Sequence, residues 1–180
     1  MYYSMSTDGD ENTYMEKETG LNSHIALYMA RMWDEKKDNI SLPYRYTMSV
    51  DSDETPNLYG WYPGSCLMQQ KLVDLLKSLG VDNLQTFPAE VLHEDTGEPV
   101  PGYVVVNIVG RIACADMSKS DASPLATSQY FSKLVINPAA TGGLLMFRVE
   151  ESPMRVLVQE KIVKAVQAAG FVGLTFEAIG

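Results

Sequence analysis

The feature that most constrains the fold is a pattern that occurs twice, 90 residues apart. Residues 68–87 read MQQKLVDLLKSLGVDNLQTF, and residues 158–176 read VQEKIVKAVQAAGFVGLTF. In both segments apolar residues recur at helical spacing, a glycine suits the left-handed position that ends a helix, and an apolar segment follows. Each copy therefore predicts a strand, a helix, a glycine stop and a second strand.

Alignment of residues 66–84 with 156–174 gives these identical pairs: Leu67/Leu157, Gln69/Gln159, Lys71/Lys161, Val73/Val163, Gly80/Gly170 and Leu84/Leu174. Any two amphipathic helices that end in glycine share part of this likeness, so duplication and chance similarity both stay open. A third helix is predicted from Asn22 or Ser23 to about Lys36. We expect an α+β fold, a mainly antiparallel sheet with two or three helices packed on one face.

The remaining segments are predicted to be strands and turns. Residues 103–115, YVVVNIVGRIACA, are predicted to form one central strand. Its side chains would alternate between two faces, with Val104, Ile112 and Cys114 on the same face. Residues 132–137 and 144–151 are expected to form a hairpin around the turn PAATGG. The opening residues predict a short edge strand followed by a loosely ordered acidic segment to about residue 20.

The charge is unevenly placed along a chain of 180 residues, a length that suits a single domain over residues 1–180. Between residues 46 and 110 there are nine acids and two lysines, which places −7 of the formal net charge of −9 there. A nucleic-acid-binding protein needs a basic face, so this class is disfavoured, whereas a basic protein partner fits. No apolar run is long enough to span a membrane, and a cytoplasmic location is expected.

The acidic segment also carries aromatic residues in the loop NLYGWYPGS. Loop aromatics either anchor a partner or cover the end of a core. For a binding protein the contact candidates are acids that would attract a basic partner and aromatics that would anchor it: Asp51, Asp53, Glu54, Tyr59, Trp61, Glu90, Glu94, Asp95 and Glu98. At each acid, a solvated surface residue is the alternative.

Motifs for catalysis or cofactor binding are missing from the sequence. There is no glycine-rich phosphate loop and no nucleophile elbow. Cys66 and Cys114 lie in apolar surroundings without metal-ligand spacing, so two buried free thiols are expected, and neither a metal site nor a cofactor is predicted. His24 and His93 belong to no metal-binding or nucleophile motif.

Of all segments, CADMSKSD has the residue types most typical of an active site, with Asp116, Lys119 and Ser120 close together after the central strand. Such residues serve either a small hydrolase or transferase site or a capped strand-to-helix turn, and we favour the cap. Arg148, within an apolar strand, is expected to be an internal ion-paired or hydrogen-bonded anchor. A scaffolding module that self-associates is a third class that the sequence leaves open.

Two segments carry a family resemblance: YVVVNIVGRIACADMSKS and, later in the chain, LLMFRVEESPMRVLVQEKIVKAVQAAGFVGLTF. With these segments the sequence resembles a bacterial immunity-protein family of polymorphic toxin systems. The resemblance covers residues 60–180, with a looser match before residue 60. The residues that match the family pattern are Asn107, Asp116, Ser120, Phe147, Arg148, Gly170, Gly173 and Phe176. One departure is that Gln69 and Gln159 stand where the family typically has a serine helix cap.

The resemblance implies a cytoplasmic, non-catalytic protein that binds and neutralises one secreted toxin and so protects the producing cell. The matching residues carry structural roles in this interpretation, and no catalytic residue is assigned. Neither nucleic acid nor a membrane is an expected partner, and the oligomeric state is left open. The acidic surplus agrees with a basic toxin domain as the partner.

Overall fold

The computed structural model of the protein describes residues 1–7, 13–17, 43–50, 60–62, 66–125 and 128–180. Within these ranges the helices are α1 (Gln70–Ser78) and α2 (Glu160–Ala168), with a short 3-10 helix at Pro138–Thr141. The strands are β1 (Tyr2–Thr7), β2 (Thr13–Lys17), β3 (Tyr44–Val50), β4 (Trp61–Tyr62), β5 (Leu67–Gln69), β6 (Leu84–His93), β7 (Tyr103–Ile108), β8 (Arg111–Ile112), β9 (Asp121–Leu125), β10 (Ser128–Lys133), β11 (Met146–Val149), β12 (Val156–Gln159) and β13 (Leu174–Ala178). The helix predicted to begin at residue 22 or 23 lies outside the described residues.

Two larger sheets and one hairpin organise the described strands. The first sheet has the order β2-β3-β6-β7-β5-β4, the second has the order β13-β1-β12-β11-β8, and β9 pairs with β10 alone. Most neighbours are antiparallel, and the pairs β3/β6 and β8/β11 are parallel. The α+β prediction with a mainly antiparallel sheet is confirmed, with the strands divided between two larger sheets.

The repeated pattern is a structural repeat in the described fold. β5, α1 and the start of β6 correspond to β12, α2 and the start of β13 at a constant offset of 90 residues. The buried helix residues also correspond: Leu72, Val73 and Leu76 in α1, and Ile162, Val163 and Val166 in α2. Both helices pack into one core cluster with the inner faces of the two larger sheets.

β1 is a central strand, and the prediction of an edge strand was wrong. It lies between β12 and β13 and is antiparallel to both. Its short polar sequence resembles an edge strand, but strands from the far end of the chain cover both of its edges, and Tyr2 and Met5 are buried in two different core clusters. Only the pairing of distant segments determines this position.

The predicted strand 103–115 is broken in two. β7 ends at Ile108, Gly110 takes a left-handed backbone with φ of 97°, and β8 joins the other sheet. Val106 and Ile108 therefore face the helices, whereas Ile112 and Cys114 pack in a separate cluster with Phe147 and other residues. The single-face prediction was wrong because a glycine within an apolar run can redirect the chain.

The predicted hairpin between residues 132–137 and 144–151 does not form. β10 pairs with β9, and β11 pairs with β12 and β8. The PAATGG segment is a 3-10 turn, in which the Asn137 side chain accepts a hydrogen bond from the Ala139 amide over 3.1 Å. Because this turn does not return the chain onto itself, β11 pairs with more distant strands.

Candidate functional site

Three of the predicted contact acids lie at the tip that joins β6 to β7. Glu94, Asp95 and Glu98 are all exposed there. The His93 amide donates to the Glu98 carbonyl over 2.9 Å, and the Gly97 amide donates to the His93 carbonyl over 2.8 Å. This tip therefore presents three carboxylates on a hydrogen-bonded backbone.

The fourth described acid, Glu90, is partly neutralised. Its carboxylate accepts a hydrogen bond from Arg45 Nε at 3.0 Å, across the parallel pair β3/β6. Both side chains are exposed, so this ion pair contributes little to stability. Glu90 therefore adds less negative potential to the surface than the three acids at the tip.

The aromatic candidate Trp61 is buried, with 6% of its surface exposed. It belongs to the core cluster that includes Met68 and Leu72. This position fits the alternative stated above, in which a loop aromatic covers the end of a core. The other four candidates, Asp51, Asp53, Glu54 and Tyr59, lie outside the described residues.

The Asp116 segment forms a turn stabilised by its own side chains. Asp116 Oδ1 accepts from the Ser118 amide at 3.1 Å and from Ser118 Oγ at 2.6 Å, and Asp116 Oδ2 accepts from Lys119 Nζ at 2.8 Å. These bonds, led by the one from Lys119, lower the pKa of the Asp116 carboxyl. The turn leads into β9, so the prediction of a capped strand-to-helix turn was wrong: these side chains stabilise a turn between strands.

Ser120 is held by the backbone in the same region. Its hydroxyl donates to the Val135 carbonyl at 3.1 Å and accepts from the Val135 amide at 2.9 Å. A nucleophilic serine needs a base that takes its proton, whereas this hydroxyl proton is directed to a carbonyl. The geometry assigns Ser120 to the attachment of the turn to the neighbouring chain.

Both cysteines are buried free thiols, as predicted. Burial, with a smaller contribution from the negative charge of Glu151, raises the pKa of Cys114 to about 11. The Cys114 thiol is therefore protonated at neutral pH, and the thiol is far less nucleophilic than the thiolate. The geometry gives no support to a cysteine nucleophile at this position.

Several residues that matched the family pattern occupy interior positions. Phe147 makes an edge-to-face contact with Tyr2, with ring centroids 5.5 Å apart. Asn107 is 2% exposed and donates from Nδ2 to Gln85 Oε1 at 3.0 Å. Arg148 is also buried, and Phe176 packs against the main core cluster.

The β9/β10 hairpin carries exposed apolar residues and was not among the predicted contact sites. Its residues 122–132 contain no charged side chain, although the chain has 14 Lys and Arg and 23 Asp and Glu. Leu125 and Tyr130 are both more than half exposed. The absence of charge from an exposed segment was the feature in the sequence that could have identified this surface.

The described ranges of the chain contain no group of three or more His, Cys, Asp or Glu side chains placed to hold a metal ion. None of the helices found there is long and apolar enough to cross a membrane.

Comparison with known families decides the classification. The sequence model of an immunity protein family, Imm11, matches residues 9–180. The chain belongs to this immunity protein family. The match begins about fifty residues earlier than the resemblance over residues 60–180, so it includes β2 and β3. No curated protein matches the chain.

Family membership gives the protein an immunity role and implies a toxin as its partner. The turn at Asp116 and the thiol of Cys114 have structural explanations, and the exposed features of the described surface are an acidic tip and an uncharged hairpin.

Proposed function

We propose that this immunity protein neutralises one cognate secreted toxin by forming a stoichiometric complex with it, and not by catalysis. The observation that carries the proposal is the family match over residues 9–180. An immunity protein that acts by occlusion needs a stable scaffold and a complementary surface, but no catalytic group. The producing cell's cytoplasm is the proposed site of action.

The toxin is proposed to present a basic surface to the acidic part of this protein. A net charge of −9 attracts a cationic partner and raises the rate of encounter. The contact candidates that remain are Asp51, Asp53, Glu54, Tyr59, Glu90, Glu94, Asp95 and Glu98, because Trp61 is buried in the core cluster. Among the described members, the three acids at the β6–β7 tip best fit this role because they are exposed and belong to no described ion pair.

Co-expression with a candidate toxin from the same locus tests the proposal. Growth rescue together with co-purification of both proteins at equal stoichiometry is expected. Rescue without any complex would contradict occlusion, because it would require chemical reversal of the damage or modification of the toxin. Failure of both readouts with every toxin of the locus would contradict the immunity function itself.

The variant Asp116→Ala separates binding from catalysis in the same experiment. Because Asp116 stabilises a turn, the variant is expected to have a lower melting temperature and to keep full rescue at a growth temperature where it is folded. Loss of rescue in a folded variant that still binds the toxin would instead indicate a catalytic carboxylate. Ser118→Ala serves as the matched control, since it removes one hydrogen bond of the same turn.

A further inference from the structure

The β9/β10 hairpin presents one face to solvent and the other to the core. Phe131 and Ala122 lie opposite each other and pack into the core cluster that contains Phe147. Ser128 lies opposite Leu125, and Tyr130 lies opposite Ser123, so these four residues share the other face. Leu125 is 57% exposed and Tyr130 is 59% exposed on that outward face.

Exposed apolar side chains are concentrated around this hairpin. Of the six large apolar residues exposed in the described part of the chain, Leu125 and Tyr130 lie on the hairpin, and Met117 and Met154 lie in the loops beside it. The loop containing Met154 is bonded to β10, since the Gln129 amide donates to the Glu151 carbonyl over 2.7 Å. The outward face of the hairpin itself, with two large exposed apolar residues and no charge, has the character of a protein–protein contact.

The hairpin is also held in place before any partner binds. Arg155 donates to the Phe131 carbonyl over 3.1 Å, and Ser120 bonds both backbone groups of Val135 just beyond β10. A preorganised surface loses little conformational entropy on binding. Pro124 and the irregular register near Phe131 make strand addition along the hairpin unfavourable, so the face is the surface presented to a partner.

We infer that the outward face of the β9/β10 hairpin forms the apolar centre of the contact with the toxin, with Tyr130 and Leu125 as its anchors. This inference rests on the proposed function. Interface centres are depleted of charge and enriched in tyrosine, as this face is. A second copy of the chain is a poor occupant because each copy carries a net charge of −9, whereas a basic toxin is attracted.

The acidic tip and the hairpin would then act at different stages of binding. Charges attract the partner over about 8–10 Å and mainly change the association rate. Buried apolar anchors mainly change the dissociation rate. The two surfaces are therefore separable in a kinetic experiment.

The test uses the full chain and the purified toxin domain that wild-type protein neutralises. The double variant Leu125→Ser/Tyr130→Ser removes the anchors without changing the net charge. Val172→Ser is the matched control, because Val172 is also an exposed apolar residue but lies outside the hairpin. Thermal unfolding of each variant confirms that it is folded, as expected for exposed positions.

The double variant is expected to bind roughly 30-fold more weakly, through faster dissociation, while Val172→Ser binds like wild type. Affinity of the double variant within twofold of wild type would overturn the hairpin proposal and leave the proposed function intact. A wild-type protein that forms no complex with the toxin would overturn the proposed function first. A wild-type dimer that this double variant converts to a monomer would assign the face to self-association and overturn the inference.

Discussion

Gln69 and Gln159, the two glutamines that precede the helices, do not cap them. Gln159 Nε2 donates to the Tyr2 hydroxyl at 3.2 Å and to the Gly143 carbonyl at 2.9 Å, and it makes no side-chain bond to its own helix. Gln69 Nε2 donates to the Tyr103 hydroxyl at 3.5 Å. A glutamine side chain is long enough to join the start of each helix to the neighbouring central strand.

Replacing Gln159 with alanine tests this account at one residue. Gln159→Ala removes the bonds to Tyr2 and Gly143, and it is expected to lower the free energy of unfolding by about 1 kcal/mol. Urea unfolding measures the change, with Gln167→Ala on the exposed face of α2 as the control. Equal stability of the two variants would show that the Gln159 bonds contribute nothing.

Cys114 is expected to make the free energy of unfolding depend on pH in the alkaline range. An unfolded cysteine ionises near pH 8.5, but the folded pKa is about 11, so the folded state keeps a proton that the unfolded state has lost. The contribution of this group is complete below pH 8.5 and is lost as the pH rises towards 11.

Urea unfolding at pH 7, 8.5 and 10 under reducing conditions measures this dependence. Wild type is expected to lose roughly 1–2 kcal/mol between pH 8.5 and 10 through this group. Cys114→Ala is expected to be less stable at pH 7, because the thiol is buried, and to show a weaker dependence on pH. The same alkaline slope in wild type and variant would contradict the assignment.

At the scale of elements, the structural repeat also includes the strand that lies between the two repeated strands. β7 lies between β5 and β6 as β1 lies between β12 and β13, and the paired residues correspond at an offset of 101. The Gln70 amide donates to the Gly102 carbonyl at 2.7 Å, and the Glu160 amide donates to the Met1 carbonyl at 3.1 Å. The second unit is thus completed by the opposite end of the chain.

A circular permutant tests this correspondence. Joining Gly180 to Met1 through a short Gly/Ser linker, with a new amino terminus near residue 9, would connect β13 to β1 as β6 is connected to β7. The Ile179 amide already donates to the Tyr2 carbonyl at 3.0 Å, so the ends lie close together. The permutant is expected to fold cooperatively and to rescue cells from the toxin as wild type does.

The matched control for the permutant is deletion of residues 1–7 without relocating them. Because this removes a central strand, the deletion variant is expected to lose cooperative thermal unfolding. If the permutant aggregates, or if the deletion variant unfolds like wild type, β1 is not the counterpart of β7.

The sequence predicted the parts of the fold that depend on local patterns. Helical spacing and Gly80 and Gly170 located both described helices, and alternation located β7. The place of β1, the break at Gly110 and the partners of β11 depend on pairing between distant segments, which periodicity does not contain. For the same reason, the acids at the β6–β7 tip could be chosen from composition, but the burial of Trp61 and the outward face of the β9/β10 hairpin required coordinates.

Across the whole molecule, charge is distributed unequally between the helices and the rest. α1 and α2 carry Lys71, Lys77, Lys161 and Lys164 against Asp74 and Glu160, which gives 4 − 2 = +2 in a chain of net charge −9. The other residues therefore carry −9 − 2 = −11. The proposed basic partner would therefore be attracted to surfaces outside α1 and α2, which include the β6–β7 tip.

Charge reversal at this tip is expected to slow association with the toxin. Glu94→Lys/Asp95→Lys should lower the association rate about tenfold at low ionic strength and weaken its dependence on salt. Asp82→Lys/Glu177→Lys makes the same change in net charge at exposed acids elsewhere and serves as the control. Equal effects from both double variants would show that net charge, and not the tip, governs the encounter.

The most direct test of the central claim is the stoichiometry and affinity of the complex with the purified toxin domain. Isothermal titration combined with light scattering on the eluted complex measures both quantities. Occlusion predicts a stable complex with one immunity protein for each toxin domain, at concentrations where the toxin's activity is abolished. Full protection by far less than one equivalent of the protein, with no complex detected, would contradict the account.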